Sequence, residues 1–391
     1  MKLFQRLLVA PAALGLLAPI TANANEVNFN AISNYSDTES VEFANSFDNT
    51  FENNVKFEPL IAGGEGMVPD PDTDSFSSTT SASFSVKMAI GSVDGKGVST
   101  TVTDGDESVQ FQYAFDTKIK TSFTGDDELS VAIDSGSSSD GLSVDEFGLN
   151  NTSDFLKVDG VAYKFPVGDN LTVLVGDNKD ASSQFTVACA YGGPSDTLDD
   201  CGNVNAVVDE GGYHASAEYD FGNGFTAAVG VAGNEAEIMT KEGQDGYGAN
   251  LAYTGDNYGL SYTYGIVESG TDENTYSAFN GYYSLDNGIS ISAGFETGDL
   301  GGQAATADES EAYFIGVNGE VGPGELGAAI GTVGSMTEAA GVIPEQLMYE
   351  AYYSYAVNDG MTVTPLVYVK EGATAAASDE TGVMVKTSFS F

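Results

Sequence analysis

The sequence predicts an all-β chain, a transmembrane antiparallel β-barrel of about 16 strands with short periplasmic turns and long extracellular loops. Three observations carry that expectation. Apolar and polar residues alternate in segment after segment from about residue 81 to the C-terminus. Tight turns rich in Gly, Asn and Asp recur along the same stretch, and an aromatic residue stands just before most of them.

The elements follow in order. Lys2 and Arg6 precede an apolar stretch from about Leu7 to Ile20, and Ala22-Asn23-Ala24 closes it. This is the three-part pattern of a secretory signal cleaved after Ala24, and the short stretch with Pro11 and Pro19 argues against a spanning helix. Residues 1–24 are therefore read as a signal peptide and residues 25–78 as a polar, acidic leader or linker. Residues 79–391 are the barrel. The leader ends in a Gly/Pro/Asp/Ser run in which Asp70, Asp72 and Asp74 imitate the start of a calcium loop. The glycine and glutamate such a loop needs further on are missing, so the run reads as linker.

Seven short turns punctuate the rest: Thr124–Asp127, Gly168–Asn170, Gly222–Gly224, Gly255–Asn257, Asp286–Gly288, Gly322–Gly324 and Asn358–Gly360. Glycine and asparagine supply the positive φ that tight hairpins require. The turns separate eight segments, each long enough for an up-strand, a longer loop and a down-strand, hence about 16 strands with both ends on the short-turn side. Period two is clear in Val109–Lys120 and in Tyr213–Phe221, placing one set of side chains on each face. Pro365 predicts a bulge or a missing ladder bond in the fifteenth strand.

A soluble sandwich would also alternate. Aromatic placement favours a barrel in lipid: Phe123, Phe165, Phe221, Tyr253, Tyr283 and Tyr355 precede short turns and Phe391 ends the chain, as in an interfacial girdle. So does a C-terminal strand that closure would leave without an edge.

Composition excludes other classes. Without the signal, 11 basic residues face 58 acidic ones, a net charge of −47. Such a surface repels nucleic acid and suits a salty medium that screens self-repulsion. There is no Trp, one His and two Cys. One histidine supplies no H-E-x-x-H site, no G-x-S-x-G elbow occurs, and Gly91–Gly97 resembles a phosphate loop only loosely. No enzyme, cofactor or metal is read. His214, in the polar phase of the sixth strand, is expected to be a solvated lumen residue. Cys189 and Cys201, in an exported chain, favour a disulfide over a metal site whose other ligands are missing.

The opening MKLFQRLLVAPAALGLLAPITANA, the stretch LKVDGVAYKFPVGDNLTVLVG, the pair ACAYGGPSDTLDDCGN, the segment LAYTGDNYGLSYTYG and the aromatic end together resemble the outer-membrane porins of marine cyanobacteria. The resemblance implies an oligomeric, trimeric channel for small hydrophilic solutes and ions in a Gram-negative-type outer membrane. The chain departs from that family in lacking the usual surface-layer-homology domain, since residues 25–78 hold no Trp and no heptad run.

Strand counting makes residues 178–210 or so the third long loop. In 16-stranded porins the third loop folds inward and narrows the pore, and the resemblance implies the same here, with Asp196, Asp199 and Asp200 as pore acids. Six lysines fall in the polar phase of strands: Lys87, Lys118, Lys120, Lys164, Lys370 and Lys386. After closure most of them form a basic strip on one wall, facing the acidic loop and setting a transverse field. Phe389 and Phe391 resemble the signal read by the barrel-assembly machinery. The reading is thus a diffusion porin partnered by lipid, the assembly machinery and further copies of itself. Its rival is a structural or adhesive barrel with acidic surface loops and a plugged lumen.

Overall fold

The computed structural model describes residues 79–94, 109–137, 145–208, 211–238, 240, 243–269, 272–303, 308–337, 345–372 and 377–390. All lie in the unit Ala62–Phe391. The proposed signal and the leader lie outside the described residues, as do Phe391 and the part of Gly91–Gly97 beyond Asp94.

Along many of the strands the pattern is inside-out. In β11 (Ile289–Leu300), Ile291 and Phe295 are exposed, whereas Ser292 and Glu296 next to them are buried. In β9 (Tyr258–Ser269), Tyr258 and Leu260 are exposed and Ser261 and Thr263 buried. β12 (Glu309–Val321) repeats this with Ile315 and Val317 against Asn318 and Ser310. A sandwich would bury its apolar phase; a sheet whose apolar phase faces outward needs lipid around it.

The remaining strands are β1 (Thr80–Asp94), β2 (Gln110–Thr121), β3 (Glu128–Gly136), β4 (Lys157–Val167), β5 (Leu171–Asp177), β6 (Tyr213–Gly222), β7 (Phe225–Gly233), β8 (Asp245–Thr254), β10 (Asp272–Ser284), β13 (Gly324–Thr332), β14 (Met336–Thr337), β15 (Leu347–Asn358), β16 (Met361–Lys370) and β17 (Glu380–Ser390). Sequence neighbours pair antiparallel in one sheet, and β1 pairs with β17 from Ser85↔Ser390 to Asp94↔Thr381, which closes it. The two-residue β14 continues β13 along β12, so the barrel has 16 staves. All seven predicted short turns join consecutive strands at one end.

Five of the seven turns contain a positive-φ residue, whereas Gly255–Asn257 and Asn358–Gly360 turn without one. Gly168, Gly222, Asn223, Gly224, Gly288 and Gly322 take positive φ. The first turn is braced by Asp127, whose carboxylate accepts from Ser122, from the Phe123 and Thr124 N–H groups and from Tyr163 Oη at 2.6 Å. The Tyr163 hydrogen bond, with the Thr124 N–H, holds that carboxyl well below the usual range. Tyr163 belongs to an outer aromatic belt at this end, stacked on Phe165 and edge-on to Phe123, with Tyr219–Phe221 and Phe225–Tyr253–Tyr258 continuing it. Pro365 stays in register with Val385, but the ladder to β15 lapses between Tyr352↔Leu366 and Tyr355↔Val363. A ring with no N–H removes the ladder bond there.

Candidate functional site

Between β5 and β6, residues 178–208 turn into the barrel. Irregular backbone carries polar groups that must find partners, and the inward phase of the wall supplies them. Thr186 N–H donates to Asn250 Oδ1 on β8, and Ala188 N–H to Ser261 Oγ on β9. Ala190 and Tyr191 N–H both reach Ser292 Oγ, and Asn205 and Ala206 N–H both reach Glu296 Oε2, on β11. Six loop donors are thus satisfied by four wall side chains, each neutral bond adding about 0.5–1.5 kcal/mol. The buried Glu296 carboxylate is compensated because its other oxygen accepts from Asn205 Nδ2 at 2.7 Å.

Steric room for this seating comes from glycines in the inward phase. A Cβ on Gly230 (β7) would sit 1.8 Å from the Ala181 carbonyl, and one on Gly294 (β11) 1.8 Å from that of Cys201. Gly248, Gly265, Gly316 and Gly331 likewise touch Phe185, Ala206, Tyr191 and Leu198. Sequence reasoning missed this track although its signal was present, since glycine inside a strand marks the close approach of another backbone.

At the far wall, Tyr191 packs on Phe314 and Tyr352, and its hydroxyl donates to Glu350 Oε1 at 2.6 Å. Cys189 and Cys201, 12 positions apart within the loop, are joined in a disulfide. Asp199 and Asp200 lie on the turn between them. Burial, with Asp196 beside it, pushes the Asp199 carboxyl up to about 6, while nearby Lys386 draws it back. Burial pushes Asp200 up to about 7 against the pull of the Gly202 N–H.

The six lysines separate into three groups. Lys87, Lys118 and Lys164 form no ion pair among the described residues, and Lys118 and Lys164 are exposed. Lys120 pairs with Glu128 at 2.9 Å near the short turns. Lys370 pairs with Glu146, and the Lys386 ammonium lies 5.0 Å from the centre of the Phe147 ring, within electrostatic reach of Lys87, Asp199 and Glu350. Register puts Lys386 opposite Ala89 and Lys87 opposite Ser388, diagonal neighbours across the seam. His214 is only 3% exposed, because Gln184 of the loop hydrogen-bonds the Ser216 hydroxyl that His214 Nε2 also meets. The expectation of a solvated lumen histidine is corrected: the loop seals it against the wall. No group of acidic, His or Cys side chains suited to a metal ion occurs among the described residues.

A closed antiparallel barrel of 16 staves is shared by solved structures. A Pseudomonas putida OprB structure matches with a TM-score of 0.59 at 11% identity, over 80% of this chain and 94% of that one. A mutant Rhodopseudomonas blastica porin matches with a TM-score of 0.56 at 15% identity, over 80% of this chain and 100% of that one. The fold is that of the porins. A third structure, at a TM-score of 0.52 and 14% identity over 80% of this chain and 100% of that one, is described by the asymmetric conductivity of engineered proteins. No protein-family model and no curated protein matches the chain.

Proposed function

We propose that this chain is an outer-membrane porin, a water-filled channel through which small hydrophilic solutes and ions diffuse without chemical change. The inward third loop carries the reading. An inside-out barrel needs only filler side chains to be a membrane anchor, whereas a loop held by its backbone along one wall and facing unpaired lysines on the other builds a narrowed, charged passage.

In this reading Lys87 and Lys118, with Lys164 below them, are the mobile positive charges of the passage. Lys386 contributes its field from under Phe147, and Lys120 and Lys370 are largely neutralised by their carboxylates. Asp196, Asp199 and Asp200 are the opposing acids. The transverse field orients dipolar solutes and tempers the cation preference that a charge of −47 would otherwise impose. The disulfide stiffens the loop, an effect of about 2–4 kcal/mol for loops of this kind.

The chain is secreted by its N-terminal signal, inserted by the barrel-assembly machinery through the Phe389–Phe391 end, and surrounded by outer-membrane lipid. The sequence resemblance supports a cyanobacterial outer membrane. Homotrimerisation is supported by the same resemblance and by the low wall β3–β5, beside which Phe155, Leu156 and Val158 are 65–70% exposed.

Planar-bilayer recording in asymmetric salt tests the proposal. Ohmic steps in multiples of three are expected, with the reversal potential moving toward cations when Lys87 and Lys118 are both changed to Gln. Silence of a correctly folded preparation would instead favour a structural or adhesive barrel with a plugged lumen.

A further inference from the structure

The third loop is not the sole segment turned into the barrel. Between β3 and β4, Asp145–Phe147 forms one turn of 3₁₀ helix, and Phe147 and Leu149 are buried in the same cluster as Leu198 and Met384. Three distant parts of the chain converge at Glu146. Its Oε1 pairs with Lys370 Nζ on β16, and its Oε2 accepts from Thr197 Oγ1 of the third loop at 2.7 Å. Lys370 Nζ in turn donates to Thr197 Oγ1 at 3.1 Å, which closes a triangle of three side chains. The Glu146 carbonyl also accepts from Asp196 N–H at 2.8 Å. Next to it Gly148 takes φ +52, and a Cβ there would sit 2.9 Å from Asp196 Oδ1, so the two loops meet without spacing.

We propose that Glu146 and Lys370 form a latch that pins the tip of the third loop to the β16 wall, so that the constriction is a two-loop aperture whose width and charge the latch sets. The inference rests on the channel reading. The loop's backbone anchors, on Asn250, Ser261, Ser292 and Glu296, hold its ascending and returning limbs on β8, β9 and β11, and the Tyr191 hydroxyl reaches Glu350 on β15. Residues 195–200 between the limbs carry the pore acids; Leu198 packs against the β13 wall at Gly331, and Glu146 and Lys370 add the polar tie of this turn to β16. The pair is a positioning device: both side chains are mostly shielded, at 11% and 14% exposure, and their charges cancel while they touch. Breaking one member releases the tip and at the same time uncovers the charge of the other, because a shielded ion left alone draws in water and counter-ions.

That coupling gives the proposal a signature that mere stabilisation lacks. Glu146→Gln uncovers Lys370 and should move the reversal potential toward anions. Lys370→Gln uncovers Glu146 and should move it toward cations. Both should raise single-channel conductance and open-channel noise, and the exchanged pair Glu146→Lys with Lys370→Glu should restore wild-type noise. Folding is checked by heat-modifiable migration, and if a charge variant does not insert, Thr197→Val, which keeps every charge, is read for conductance and noise alone. Wild-type conductance and noise in the inserted variants, or shifts of the same sign from both Gln variants, would overturn the latch. A wild-type protein that does not conduct would refute the channel reading and leave the latch refuted with it, whereas a conducting wild type with unaltered variants refutes the latch alone.

Discussion

Asp199 and Asp200 show how position within the barrel changes a carboxylate. Both sit on an inward turn, and burial raises each above its ordinary 3.8, to about 6 and about 7. The folded chain therefore holds protons that the unfolded chain releases. The resulting stabilisation is fully present below 3.8 and is lost as pH rises through the folded values. For conduction the same titration acts on charge. Acidifying from about pH 8 to about pH 5 should remove two negative charges from the loop and move the reversal potential toward anions. The Asp199→Asn/Asp200→Asn double variant should lack that shift; an equal shift in it would assign the titration elsewhere. Sequence reading could place these acids on the third long loop but not their altered protonation, because burial depends on which wall the loop meets.

At the scale of elements, the third loop and its glycine track form one unit. The loop's length and count along the chain were legible, and so was the turn grammar that located it. Its partners were not, since Asn250, Ser261, Ser292 and Glu296 look like any polar residue of an inward phase until the loop lies on them. A β-branched residue at Gly294 suits a strand but not this seat, where a Cβ meets the Cys201 carbonyl. Gly294→Val should therefore insert as a heat-modifiable barrel yet conduct with altered single-channel amplitude and frequent sublevels. Unaltered recordings from that variant would mean that the loop does not border the passage. The second long loop shows the opposite failure: Glu146 and Phe147 carry no signal in a stretch of Asp, Ser and Gly, and only the fold brings them to Lys370 and Lys386.

For the whole molecule, closure decides order. Strand β17 is the last in sequence, yet it is flanked on both sides, by β16 and β1, over ten residue pairs at the seam. A terminal strand so paired has no edge to fray. Deleting Phe391 should reduce the heat-modifiable fraction recovered in the outer membrane, through lost recognition by the assembly machinery; a normal yield of folded barrels would contradict that role.

What the sequence by itself determined is the repeating unit: strand, tight turn, strand, long loop, with polar and apolar phases assigned and the strand number set by the turns. Those features are local, written in side-chain period and in the φ that Gly and Asn tolerate, so they survive without knowledge of distant contacts. The tertiary structure alone decided which lysines stay unpaired, which histidine is sealed, and which loops enter the lumen. Those outcomes depend on meetings between residues far apart in the chain, from Gln184 with Ser216 to Tyr191 with Glu350 and Glu146 with Lys370. Once the barrel closes, such groups share one narrow, poorly hydrated interior where each charge must be paired or faced.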